Sequence, residues 1–126
     1  MLSNIKLLDC TLRDGGYVND WHWGFTSARE IITLLVKANV DIVEVGFLRN
    51  ISTYDKNKTV CQSIEELNYL IPSNKGNTMF SAMAMRSNYD VDKLSPYEGK
   101  GIEIIRVTAH DYDLEEGLDF ARKVQE

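Results

Sequence analysis

One carboxylate stands where the sequence leaves almost no room for water. Glu44 is the centre of DIVEVGF, residues 41–47, a β-branched apolar run with the look of a strand inside a parallel sheet. An unpaired buried charge costs several kcal/mol, so Glu44 requires a cationic partner. Strand side chains alternate between faces. In this run Val43, Val45 and Phe47 fall on one face, and Ile42, Glu44 and Gly46 on the other. The same division recurs in two further runs. In residues 5–12 it sets Leu8, Cys10 and Leu12 against Asp9, Thr11 and Arg13; in residues 102–108 and just beyond it sets Ile105 and Val107 against Arg106, Thr108 and His110. Each strand thus has one face suited to helices and another carrying functional groups. Arg13, projecting from the end of the adjacent strand, is the expected partner of Glu44. Arg106 is expected to pair with Asp9 or Glu44.

Helical patterns separate these strands. Ser27 to Glu30 has capping-box spacing and opens a helix over residues 28–38; Thr59 to Gln62 is a second box, with Pro72 closing the helix it opens. Residues 13–24 read as a polar loop. Residues 78–85 form a third strand, residues 90–94 a short helical piece, and Asp113 to Glu116 cap a last helix. The order is βαβαβαβα, which demands a parallel sheet covered by helices. At 126 residues the length suits a doubly wound sheet, whereas a (β/α)8 barrel runs to about 250 residues. The polar strand faces decide otherwise. Helices cover both faces of a doubly wound sheet, which therefore need to be apolar, while a barrel has an interior where charged groups from neighbouring strands meet. The expected fold is α/β: residues 1–126 as one domain, the N-terminal half, (βα)4, of a TIM barrel.

Composition narrows the function. A formal charge of −5 argues against broad nucleic-acid binding, which needs a basic face. No apolar run approaches a membrane span, since residues 31–40 are interrupted by Thr33, Lys37 and Asn39. Charges within the first 16 residues are unlike a signal peptide, and Cys10 and Cys61 form neither a disulfide framework nor a CxxC site, so a cytoplasmic setting is expected. No lysine ends a strand on the polar face, which leaves Schiff-base chemistry unsupported. A phosphorylation receiver would need an aspartate where Met85 and Arg86 stand. The loop RDGGY, residues 13–17, falls where barrels gather catalytic groups, at a strand's C-terminal end. Asp14 could ligate a hard divalent cation and Arg13 could hold an enolate or carboxylate oxygen; equally, Asp14 could simply stabilise a turn. Trp21 and Trp23 are expected to anchor the loop, and Met79, Met83 and Met85 to pack.

DCTLRDGG from Asp9, followed a helix later by VDIVEVGF from Val40, resembles the DRE-TIM metallolyase superfamily. That group includes 4-hydroxy-2-oxovalerate aldolase, HMG-CoA lyase and the isopropylmalate and homocitrate synthases. IIRVTAH, residues 104–110, is similar to the fourth strand of the 4-hydroxy-2-oxovalerate aldolases. The resemblance implies a lyase that makes or breaks a carbon–carbon bond in a 2-oxo acid, a small-molecule substrate held by a divalent cation, Mn or Mg. It implies Asp14 as metal ligand, Arg13 as the group that binds substrate and stabilises the enolate, and Glu44 as the residue orienting Arg13. Claisen-type acyl-CoA condensing synthases and non-catalytic barrel relatives are the alternatives it leaves open. Members complete the metal site with a His-x-His pair, which His22 and His110 cannot form, so the missing ligands are expected beyond residue 126. The aldolases place a histidine base where Tyr17 stands here; Tyr17 or His22 would substitute, although a phenol needs help to act as a base. His110, after the last strand, is expected at the substrate rim. Exposed sheet edges predict a homo-oligomer or an aggregating fragment.

Overall fold

The structure is a computed structural model and describes residues 4–126; the reading of an uncleaved N-terminus touches residues 1–3, outside the described part. Five strands form one parallel sheet: β1 (Leu8–Asp9), β2 (Ile42–Leu48), β3 (Val60–Cys61), β4 (Met79–Met85) and β5 (Ile104–Thr108). Their order is β1-β2-β4-β5, with β3 paired to β2. Because β4 pairs along the length of β2, β1 and β3 share the opposite edge, β1 at Ile42 and Val43 and β3 at Phe47 and Leu48. The helices are α1 (Thr11–Asp14), α2 (Phe25–Lys37), α3 (Ile64–Asn68) and α4 (Leu114–Gln125). A 3-10 turn over Val91–Lys93 takes the place of a full helix between β4 and β5.

The described long helices pack on one face of the sheet. Ala28 and Ile32 of α2, Leu67 of α3 and Phe120 of α4 join Val43, Val45, Leu48, Phe80, Ala82 and Ala84 in one buried cluster. The other face carries Glu44, Ser81 and Arg106, with a smaller cluster of Trp21, Phe47, Val60 and Met83 near the C-terminal ends of the strands. One-sided coverage is what a barrel wall requires and a doubly wound sheet does not show.

Three local readings are corrected. The first strand stops at Asp9 rather than Leu12, and its register sets Leu8 opposite Ile42 and Asp9 opposite Val43, so Leu8 takes the parity of Glu44. In β2 the register shifts between Glu44 and Gly46, a bulge that adds a residue and reverses the alternation beyond it. Phe47 therefore joins the Glu44 face, opposite Met83, while Gly46 and Leu48 turn toward the helices. Neither proposed box caps its helix. Gly24 is the N-cap of α2, placing Ser27 inside it, and Val60–Cys61 is a strand; the working box is Ser63 with Glu66, where the hydroxyl accepts from the Glu66 N–H at 3.3 Å and the carboxylate takes the Ser63 N–H.

Gly46 is where β3 and α3 close on β2. A Cβ there would stand 2.2 Å from the Thr59 carbonyl oxygen and 2.7 Å from Leu67 Cδ2. Gly46→Ala should therefore destabilise the fold by about 1–3 kcal/mol, the usual cost of overpacking, read from the urea midpoint. A midpoint equal to wild type would show that β3 does not seat there.

Candidate active site

The short first strand ends because Asp9 turns its carboxylate onto the next residues. It accepts from the Thr11 N–H at 3.1 Å and the Thr11 hydroxyl at 3.0 Å. The Cys10 carbonyl then receives the N–H groups of Arg13 (3.1 Å) and Asp14 (2.7 Å), which winds the chain into α1 and swings Arg13 onto the Glu44 face. Arg13 thus reaches Glu44 from a helical turn and not from an extended strand. The loop beyond is tied to this turn. Trp21 Nε1 donates to the Arg13 carbonyl at 2.6 Å and Trp23 Nε1 to the Leu12 carbonyl at 3.2 Å, so both tryptophans anchor the loop as expected. The Thr59 hydroxyl donates to the Leu12 carbonyl at 2.8 Å. Fitting the indole requires Gly16, whose Cβ, if present, would lie 2.0 Å from the Trp21 ring. Asp20 and Trp21 hold φ of 54° and 57°, the left-handed region that costs side chains energy and that concentrates at functional sites.

Glu44 has no exposed surface and lies between two arginines. Arg13 Nε donates to its Oε1 at 2.8 Å; Arg106 forks onto both oxygens, Nε to Oε2 at 2.5 Å and Nη2 to Oε1 at 2.8 Å; Ser81 Oγ stands 3.4 Å from Oε2. Burial alone would raise the carboxyl's pKa. The hydrogen bonds from Arg106 and then Arg13 outweigh it, and Glu44 stays ionised with its pKa held below the ordinary glutamate value. The same contact, more than burial opposes it, raises the Arg106 guanidinium further. Arg106 therefore pairs with Glu44 and not with Asp9. Arg13 Nη1 also donates to Asp14 Oδ1 at 3.0 Å, and the Asp14 side chain is mostly in solvent. One nitrogen of each guanidinium, Nη2 of Arg13 and Nη1 of Arg106, has no hydrogen-bond partner among the described residues. Two cations on one buried anion, with donors to spare, suit an incoming negative oxygen.

The other candidates lie around this centre. Tyr17, in the 3-10 turn Gly15–Val18, is exposed and packs its ring edge-on to Trp21 at 4.7 Å between centroids. His22 is exposed and bridges to Lys58 through the backbone. Neither touches Glu44 or Arg106 by hydrogen bond. His110 follows β5 beside Asp113 and stacks on Tyr112 at 4.7 Å. Cys61 is buried in the core, where burial and then Glu66 push its thiol up to about 12, which leaves it unreactive. Ser81, the register partner of Glu44, was not singled out in sequence; its position on the third strand at the same face parity was the available signal. For a divalent cation the described residues hold no group of three or more ligating side chains. An oxygen-seeking cation takes about six ligands, so Asp14 alone does not make its site.

No family model matches the chain, and no curated protein does. Among solved structures, the chain is similar to the N-terminal domain of a putative aldolase from Bacteroides vulgatus, with a TM-score of 0.64 and 22% identity. The match covers 96% of this chain and 41% of that one, so the chain spans less than half of its structural neighbour. The two share a fold, and this chain's is that of the N-terminal half of a barrel: a parallel sheet with its helices on one side. No described helix is long and apolar enough to cross a membrane.

Proposed function

We propose that the chain carries half of the active site of a carbon–carbon lyase acting on a 2-oxo acid, of the DRE-TIM type its motifs resemble and with 4-hydroxy-2-oxovalerate as the model substrate. The observation supporting this is the Arg13 guanidinium, fixed by fully buried Glu44 at 2.8 Å beside the end of β1 with a donor left over. When the bond next to a 2-oxo group breaks, negative charge collects on the carbonyl oxygen. A guanidinium already oriented meets that charge without reorganising, which is worth several kcal/mol in the transition state. Arg106 acts as a positioning residue, because its fork onto Glu44 fixes the carboxylate that fixes Arg13. Asp14 would give one oxygen to a Mn or Mg cation, whose remaining ligands would come from outside this chain.

In the full-length protein, Asp14→Ala should abolish metal-dependent release of pyruvate or the corresponding 2-oxo acid. Turnover at the wild-type rate would end this reading. Thiol release from an acyl-CoA donor in place of lyase activity would move the protein to the condensing synthases.

A further inference from the structure

The bulge in β2 moves more than Phe47. With the alternation reversed, Leu48 turns to the helices and Arg49 returns to the Glu44 face, just past the C-terminal end of the strand. Its guanidinium stands 5.7 Å from the Trp21 ring centroid and 5.4 Å from that of Phe47, both members of the small cluster on that face. The rings hold the cation through its charge and do not occupy its N–H donors. Among the described residues the Arg49 side chain has neither a hydrogen-bond nor an ion-pair partner. Its backbone N–H donates to the Cys61 carbonyl at 3.0 Å, so β3 fixes the position.

Arg49 lines a cavity of about 310 Å³ that also has Asp20, Trp21, Asp55 and Lys58 in its wall. The two loops that form it are tied together. Lys58 Nζ donates to Asp20 Oδ2 at 2.5 Å, and the Thr59 N–H to the Trp21 carbonyl at 3.1 Å. Asp55 Oδ1 accepts the Asn57 N–H at 2.9 Å. The hydrogen bond and charge of Lys58, and then the charge of Arg49, outweigh desolvation and hold the Asp20 carboxyl below its ordinary value. Asp20 is thus ionised and taken by Lys58. Of the two cations in this wall, Arg49 alone lacks an anion.

We propose that Arg49 binds a second carboxylate, at the far end of the substrate, so that the lyase acts on 2-oxo acids with two acidic ends. The proposal rests on the lyase reading for the rest of the substrate and puts a carboxylate where the model substrate ends in a methyl. Position supports it first. Arg49 lies five residues beyond Glu44, about 16 Å along the strand at a rise of about 3.3 Å per residue, at the barrel end where substrates bind. It therefore meets the end of a substrate whose 2-oxo group Arg13 holds. Chemistry supports it next. A guanidinium held over aromatic rings keeps its planar fork of donors for a carboxylate. Phosphate carries close to two charges at pH 7 and would also face Asp20 and Asp55, so the cavity suits the singly charged carboxylate better. Cleavage at C3–C4 then gives pyruvate, with the 4-hydroxyl proton ending on its C3, and an aldehyde that carries the second carboxylate.

Two measurements test this. In proton–nitrogen NMR of the full-length protein, the Arg49 Nε–H signal, assigned by its loss in Arg49→Gln, should move saturably with propionate and respond at least threefold more weakly to inorganic phosphate at equal ionic strength. A signal indifferent to propionate, or one that answers phosphate as strongly, overturns the site whatever the protein catalyses. The second compares 4-hydroxy-2-oxo acids of six and of seven carbons that end in a carboxylate or in a methyl. At one length or the other, wild type should prefer the carboxylate in kcat/KM by roughly 30-fold, and this ratio should fall below threefold in Arg49→Gln. No preference at either length, or the same preference in Arg49→Gln, overturns the assignment. If Arg49 answers propionate but none of the four acids is cleaved, the lyase reading fails and the carboxylate site stands without it.

Discussion

Glu44→Gln should cost about 3 kcal/mol of stability and lower the melting temperature by roughly 10 °C, because it leaves two guanidiniums facing a neutral amide. Arg13 is only 9% exposed and carries most of the penalty, whereas water at the half-open Arg106 relieves part of it. Against the 5–15 kcal/mol typical of a native domain this is a large fraction. The loss should depend on pH. Glu44 has its folded pKa held below the ordinary 4.5, so its contribution is complete above about that pH and disappears as pH falls through the lower folded value. Wild type and Glu44→Gln should therefore converge in acid, in thermal melts between pH 7 and pH 2. A constant difference across that range would mean Glu44 is not the ionised hub. Replacing Arg13, Glu44 and Arg106 together by apolar residues of similar volume should restore most of the stability, since no buried charge is left alone.

Arg13→Lys should lower kcat by about 100- to 1,000-fold in the full-length protein while changing KM little. The substitution keeps the charge and removes the fork. A lysine has one nitrogen to place, and Glu44, in the core, would hold it away from the substrate. Arginine serves both because Nε goes to Glu44, Nη1 to Asp14, and Nη2 is left over. A kcat within threefold of wild type would show that Arg13 does not meet the developing charge.

The pairing of Arg13 with Glu44 was legible because burial makes it obligatory: a carboxylate inside a β-branched run has no other way to remain ionised. The one-sided helix layer was legible for a related reason, since polar residues recurred at one parity in separate strands. What was hidden depends on backbone detail that alternation cannot carry. A bulge before Gly46 sends Phe47 to the other face, and its only sequence trace is the glycine itself. The helical turn at Arg13 follows from the Asp9 carboxylate capturing Thr11, two residues on, within a segment whose apolar residues read as strand. Ser63 and Glu66 satisfied the capping-box spacing as well as Thr59 and Gln62 did; pairing of Val60 and Cys61 with β2 selected between them. Trp21 as the clamp on the Arg13 carbonyl, and Asp113 beside His110, depend on contacts across 8 and 3 residues that no periodicity encodes.

The most direct measurement is calorimetric titration of oxalate, a planar mimic of the pyruvate enolate, into the full-length protein with Mn present. Wild type should bind one oxalate per active site, and Arg13→Lys should bind at least tenfold more weakly while its melting profile remains cooperative. Equal oxalate affinity in the two proteins would contradict the claim that the guanidinium fixed by Glu44 receives the enolate oxygen.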